Sequence, residues 1–447
     1  MITETDVIVI GGGIGGAIAA RELQHRGVRT VLLEARDRLG GRAYTPIVNG
    51  ERTDLGGQNV HWSEPFIWAE IGRYRLDVTP TPAFETYAVR EGERTYRYTA
   101  REGFAQMVSG LSAFAGDFPS AFPQPYRPTL RPELVARFDG LSIEDRLSQL
   151  DVSVDEARWL RPYFGMISGG TPAEGSAAWI AFLTAWAGGV PEMLRTRSGF
   201  RVVGGVQSLV ERIVADSGAD VRFDSAVTSV RDEGDRVVVT DSTGAQYVAD
   251  VAIVATPGNV LPTIDFPTGL SDAKLATSRA GTQTPNAFVK LFALIEGPVD
   301  SLYLQRYDYE NHPLIHVRRD LVREDGLTQV VAFSVDPTLD HSDARAVAAL
   351  FSELIDVPVE RINDVVAYDW VGDPYSRGGT AFVRPGRYGI LDDILAPEGR
   401  VVLAVSDFQY GGYNAAVERG YVAASDAMRI RATAPVAPAE PPAPFTA

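Results

Sequence analysis

"DVIVIGGGIGGAIAARELQHRGVRTVLLEAR", residues 6–36, decides the fold. Val7–Ile10 is a continuous apolar run, as expected of a short strand covered on both faces. Gly11, Gly13 and Gly16 follow in GxGxxG spacing and open an alanine-rich amphipathic stretch of helical period. A second apolar run, "RTVLLEA", ends on an acid, Glu34. Each position has a physical task. Gly11 permits a tight turn, Gly13 lets the backbone approach a pyrophosphate, and Gly16 allows the helix to pack closely on the strand. The helix N-terminus then faces the phosphates, while Glu34 accepts hydrogen bonds from a ribose diol. GxGxxG alone is a weak signal. Strand, helix, second strand and acid in this order make a dinucleotide-binding unit.

Directly after Glu34 stands "ARDRLGGRAYT" (35–45), a second glycine pair followed by Arg42. Two segments converging on one pyrophosphate, one of them bringing a guanidinium against phosphate charge, suit a cofactor that is held permanently. A nicotinamide enzyme needs no such second loop, so FAD is expected. With "DLGGQNVHW" (54–62) added, the chain resembles the flavin amine oxidase family, which includes monoamine, polyamine and L-amino-acid oxidases. Protoporphyrinogen oxidase and carotene desaturases have related folds. The resemblance implies an α/β protein whose Rossmann-like FAD-binding domain, of the amine-oxidase type, is assembled from discontinuous segments, 1–80, 196–270 and 395–431. An inserted α+β substrate domain would take 81–195 and 271–394. It also implies that Ile14, Gly15, Ala35, Arg36, Gly41, Gly56, Gly57 and Gln58 join the residues above at the cofactor.

The likeness continues. "GFRVVGGVQSLVERIVADSGADVRFDSAVTSVRDEGDRVVVTDSTGAQYVADVAIVATP" (199–257) resembles the family's second cofactor segment, where Val227 would meet adenine through its backbone. "VAIVATP" reads as a buried strand returning to the cofactor sheet. "YDWVGDPYSRGGTAFVRPG" (368–386) and "GRVVLAVSDFQYGGYNAAVERGYVAA" (399–424) resemble the closing flavin segments, bringing Ser406, Asp407 and Ala416 to the cofactor. "NAFVKLFALIEG" (286–297) holds one cation inside an apolar run, and among 42 basic residues only Lys274 and Lys290 are lysine. In the family such a lysine holds a water at the reactive flavin nitrogen; Lys290 falls there, with Trp370 near the same water. A desolvated lysine exchanges protons near neutrality, which arginine does not. Tyr413, in "GGYNAAV", matches one wall of the family's aromatic cage. The implied reaction is oxidation of a small primary or secondary amine by hydride transfer to flavin. The imine is then hydrolysed to an aldehyde or ketone, and O2 (giving H2O2) or another acceptor reoxidises the cofactor.

The sequence departs from the family pattern in places. The second cage wall should follow "SRGG", where Thr380, Ala381 and then Phe382 stand; Val405 and Ala415 replace residues that are usually glycine. Gln58 and Asn59 stand where L-amino-acid oxidases carry a carboxylate-binding arginine, which points to an amine without a carboxylate. "VHWSEPFIWAEIGRYRL" (60–76) resembles bacterial amine oxidases, including some that act on nicotine-like alkaloids. The alternatives are a flavin desaturase or isomerase on a non-amine substrate, and a flavoprotein that has lost turnover.

Composition excludes other classes. The net charge of −16 argues against nucleic acid or an anionic membrane as partner. There is no cysteine, hence no disulfide, thiolate metal site or thioether-linked cofactor, and because Thr380 stands where some members of the family link a cysteine to flavin, the resemblance implies non-covalent FAD. The five histidines make no metal-binding pattern, and Pro313 breaks the His312/His316 spacing. The N-terminus lacks the features of a signal peptide, and "AAWIAFLTAWAGGV" (177–190) is too short and glycine-broken to span a bilayer, so a cytoplasmic protein is expected. A homodimer is compatible with all of this. The Pro/Ala tail, 432–447, is expected to be disordered.

Overall fold

The computed structural model describes residues 2–195, 199–280, 288–306, 308, 312–380, 382–409 and 411–433. Its centre is a five-stranded, all-parallel sheet in the order Asp220–Arg222, Thr30–Leu33, Val7–Ile10, Val251–Val254, Val401–Leu403. The inner strands are buried along their whole length, which is why they read as unbroken apolar runs. The helices Ile14–Gln24, Val206–Ser217 and Gly412–Thr433 share one core on this sheet, with Val9, Ile18, Leu209, Ile253 and Ala423 among its buried members. The segment 251–254 does return to the cofactor sheet, pairing in register with 7–10. The last helix runs to Thr433, two residues into the stretch expected as a tail; 434–447 lie outside the described residues.

A second five-stranded sheet lies beside the first, in the order Ile2–Glu4, Gln246–Ala249, Val237–Asp241, Val227–Asp232, Asp265–Thr268. Its solvent side explains the alternating Val/Arg/Asp pattern of 227–232.

The third sheet has seven strands: Ile362–Asp369, Val289–Glu296, Leu327–Ser334, Leu314–Val322, Leu302–Arg306, Thr86–Glu91 and Arg94–Thr99. Neighbours are antiparallel except Leu302–Arg306 and Thr86–Glu91, which run parallel although distant in sequence. Helices Ala100–Ala115, Val154–Ile167 and Ala177–Ala187 build a separate aromatic-rich core next to it. The Ser153/Glu156 capping box forms as its sequence requires, Ser153 Oγ accepting from Glu156 N at 3.2 Å and Glu156 Oε2 from Ser153 N at 2.7 Å. The apolar stretch at 177–190 is a core helix ended by Gly188, whose φ of 91° needs glycine. Among the described residues no helix is long and apolar enough to cross a membrane.

Candidate active site

Between the parallel sheet and the seven-stranded sheet lies a cavity of about 670 Å³. Its lower wall grows out of the GxGxxG turn. Gly11 takes φ 107°, and a Cβ there would stand 2.9 Å from Ala255 O. Gly13 caps the first helix with no side-chain hydrogen bond, so the helix's first N–H groups are not taken by a side chain where Gly13, Ile14 and Gly15 line the cavity. A Cβ on Gly13 would meet nothing within 4 Å, which marks open space for a ligand. Gly16 lies behind the wall, where a Cβ would fall 1.9 Å from Gly11 O.

Glu34 lines the cavity at the end of its strand, its Oε2 accepting from Gly12 N at 2.7 Å and Oε1 from Arg36 N at 2.9 Å. Burial raises its carboxyl above the usual range, and the two N–H donors oppose that rise. Ala35, Arg36, Gly41, Arg42, Gly56, Gly57, Gln58, Val227, Ser406 and Ala416 also line the cavity. Asp407 does not. It stands behind Arg42, accepting from Arg42 Nη2 at 2.8 Å and from Gly258 N at 2.9 Å. Arg36 reaches Ser376 Oγ at 3.0 Å and is paired with Asp373.

The last helix starts at the cavity too, at Gly412, Tyr413 and Ala416, with no acidic residue in its first turn. It crosses the first helix closely, since a Cβ on Gly420 would fall 2.6 Å from Gly15 O. Two positive helix ends therefore converge on one cavity. Val405 turns away from it into the core formed with Val254, Leu403 and Phe408, and Ala415 is buried in the aromatic-rich core. Neither replacement intrudes on the cavity. The residues present fit FAD: an open glycine cradle, the starts of two helices, Arg42, and Glu34 at the strand end. Thr256 Oγ1 and Tyr413 Oη on the wall, both buried, have no partner among the described residues.

The opposite wall is one face of the seven-stranded sheet. Lys290 is 3% exposed, and its Nζ donates to Gly56 O at 2.9 Å and to Asp54 O. Burial lowers it to about 7; Asp54 and Asp320 oppose the fall, while Arg318 and Arg201 add to it. Trp370, also buried, donates from Nε1 to Leu55 O at 2.9 Å, so lysine and tryptophan grip the same 54–56 loop. Tyr413 lines the cavity against Gly57, where a Cβ would fall 2.2 Å from the tyrosine hydroxyl.

Thr380 lines the cavity, whereas Phe382 is buried elsewhere, against Gly175 and Arg384; Ala381 lies outside the described residues. The second aromatic contribution comes instead from Phe288 and Phe333, Phe288 packing so closely on Gly379 that a Cβ there would fall 2.0 Å away. Sequence reasoning missed these, along with Tyr303, His316 and Arg318. One signal was available: in "LIHVRRDLV" (314–322), His316 and Arg318 alternate with Ile315 and Val317 and so share one strand face. It also missed Glu64, whose carboxyl burial pushes up to about 7, and His61, which burial holds down to about 4; both line the cavity.

An FAD cradle closed by a sheet carrying a buried lysine and aromatic rings defines a flavin-dependent oxidoreductase. Residues 14–428 match the model of the family described as flavin containing amine oxidoreductase. A pseudooxynicotine dehydrogenase from a Pseudomonas species is 30% identical over 420 residues, covering 91% of this chain and 82% of that protein. A nicotine dehydrogenase from Pseudomonas putida is 29% identical, over 95% and 88%. A solved double mutant of putrescine oxidase superposes with a TM-score of 0.80 at 21% identity, over 96% of this chain and 100% of that one, a likeness of fold. The chain belongs to the flavin-containing amine oxidoreductase family and oxidises amines with FAD as its cofactor.

Proposed function

We propose that the substrate is a small primary or secondary amine, converted to an imine that water hydrolyses to an aldehyde or ketone. Bound FAD would supply the acceptor for the hydride leaving the amine α-carbon, with O2 or another acceptor taking the electrons onward. Lys290 carries this reading. Its Nζ, held by two carbonyls and lowered to about 7, gives and takes a proton beside the reacting atoms. Tyr413, Trp370 and Phe288 orient the amine and keep water from it, so the neutral form with its free lone pair is the one bound. The two helix starts favour negative charge that develops at the cofactor.

The cofactor part is assigned to 1–80, 196–270 and 395–431, and the substrate part to 81–195 and 271–394. FAD is held without a covalent bond, there being no cysteine to link it, and acid precipitation should release all of it. The enzyme is assigned to the cytoplasm, and a homodimer is the assembly to test by light scattering. Pyridine-bearing amines lead the substrate panel, because two relatives carry nicotine-derived names.

The test is anaerobic titration of the holoenzyme with primary and secondary amines, followed by air. Bleaching of the flavin absorbance by an amine, slowed at least about tenfold in Lys290→Met, is expected. Bleaching that is equally fast in the variant would remove Lys290 from the chemistry. Return of colour in air, with peroxide, marks O2 as acceptor.

A further inference from the structure

The sheet face that closes the cavity carries a charge that the amine chemistry leaves unused. Lys290 pairs across the sheet with Phe333, and Phe333 with His316. Arg318 lies two residues beyond His316 on the same face, opposite Tyr303. Lys290, Phe333, His316, Tyr303 and Arg318 all line the cavity. Two strand spacings, on the order of 10 Å, separate the Lys290 and His316 backbones, which is room for the length of a small ring-bearing amine.

Arg318 is 7% exposed, and among the described residues its guanidinium makes one hydrogen bond, Nη2 to Gln58 Oε1 at 2.8 Å. Asp320 is its nearest anion, at 3.8 Å, but that carboxylate is already engaged. Arg201 donates to both oxygens, 3.1 Å to Oδ2, and Gln58 Nε2 lies 3.1 Å from each. Arg201 thus holds Asp320 more closely than Arg318 does, and Arg318 keeps guanidinium donors that neither Gln58 nor Asp320 takes at the cavity wall. A guanidinium has five N–H donors, and burying one with most of them unused is costly.

We infer that the amine substrate carries a hydrogen-bond-accepting oxygen, carboxylate or carbonyl, at the end remote from its reacting C–N bond, and that Arg318 receives it. This rests on the amine reaction lying near Lys290. It revises the expectation of an amine without a carboxylate, which followed from the absence of an arginine beside Gln58 in the sequence. The arginine comes from a strand 260 residues away and binds Gln58 itself. A hydrocarbon in place of the oxygen leaves the buried donors unpaired, a loss of at least about tenfold in kcat/KM.

The test compares three benzylamines of one shape on the holoenzyme: para-carboxylate, para-acetyl and para-isopropyl. The two oxygenated compounds should exceed the isopropyl one by at least about tenfold in kcat/KM, mainly through KM. Arg318→Met should erase the difference between the oxygenated and isopropyl compounds, whatever its turnover of either, and Arg318→Lys should keep part of it. An isopropyl compound as good as the others in the wild type, or a ranking unchanged in Arg318→Met, overturns the inference; the first comparison needs no variant. If none of the three bleaches the flavin, the wider amine panel decides the amine reading separately. The subsite is then read from para-toluate, which should raise the Tm of the wild type and not of Arg318→Met; no rise overturns it.

Discussion

Lys290 and Lys274 are the two lysines of the chain, and their surroundings differ. Lys274 is tied to a helix end, donating to Ala396 O and lying 3.6 Å from Glu398 Oε1. Among the described residues Lys290 forms no ion pair with a carboxylate, and burial brings it from 10.5 to about 7. The depressed value fixes a sign. Between pH 7 and 10.5 the unfolded chain holds a proton that the folded one has released, so folding stability from this residue is lost as pH falls through 7 and fully present above 10.5. The slope from one such group is at most about 1.4 kcal/mol per pH unit. Lys290→Met has no such group. Its Tm relative to the wild type should therefore be most favourable at pH 6 to 7 and decline steadily toward pH 10. Parallel Tm-against-pH curves for the two proteins would mean that Lys290 is not desolvated.

Among the elements, the strand–turn–helix at 7–24 was legible in the sequence because its physics is local: apolar runs buried on both faces, and glycines where backbone meets backbone. Two of those glycines should respond differently to one methyl group. An alanine at 16 would place Cβ 1.9 Å from Gly11 O, forcing the helix off its strand, whereas at 13 it would meet only open cavity. Gly13 has φ −77°, which alanine adopts freely. Gly13→Ala should keep the apoprotein Tm within about 1–2 °C of wild type and weaken FAD binding at least about tenfold, whereas Gly16→Ala should lower both, the Tm by several degrees. Apoprotein melting and flavin-fluorescence titration separate the cases; a Gly16→Ala protein with normal Tm would remove close packing as the reason for that glycine. The pairing of 86–91 with 302–306 was not legible, since nothing local specifies a partner so far along the chain. Phe288 was not legible at the cavity for the same reason, since it stands beside Gly379 in space and not in sequence.

At the scale of the whole molecule the cavity belongs to no single stretch of chain. Its wall draws on the turn at 10–15, the loop at 56–59, the edge at 225–227, the segments 255–264 and 374–380, and the start of the last helix. Contacts across these segments support the wall from behind: Arg42 with Asp407, Arg36 with Asp373, Lys290 with the 54–56 carbonyls, and Gln58 with Arg318. The sequence motifs marked where the cofactor half lies because each motif carries its own backbone chemistry. The substrate half depends on which strand faces meet across the cavity, and that is a property of the assembled sheet. FAD binding should therefore stabilise the fold as one unit. A ligand at 100 times its Kd adds about 2.7 kcal/mol to the folded state, so the holoenzyme should melt several degrees above the apoprotein and its Tm should climb with added FAD. Flavin fluorescence and far-UV circular dichroism, followed in one heating run, should report a single coincident transition. Flavin leaving well below the loss of secondary structure would show that the cofactor half opens by itself, and that the contacts across the cavity do not couple the two walls.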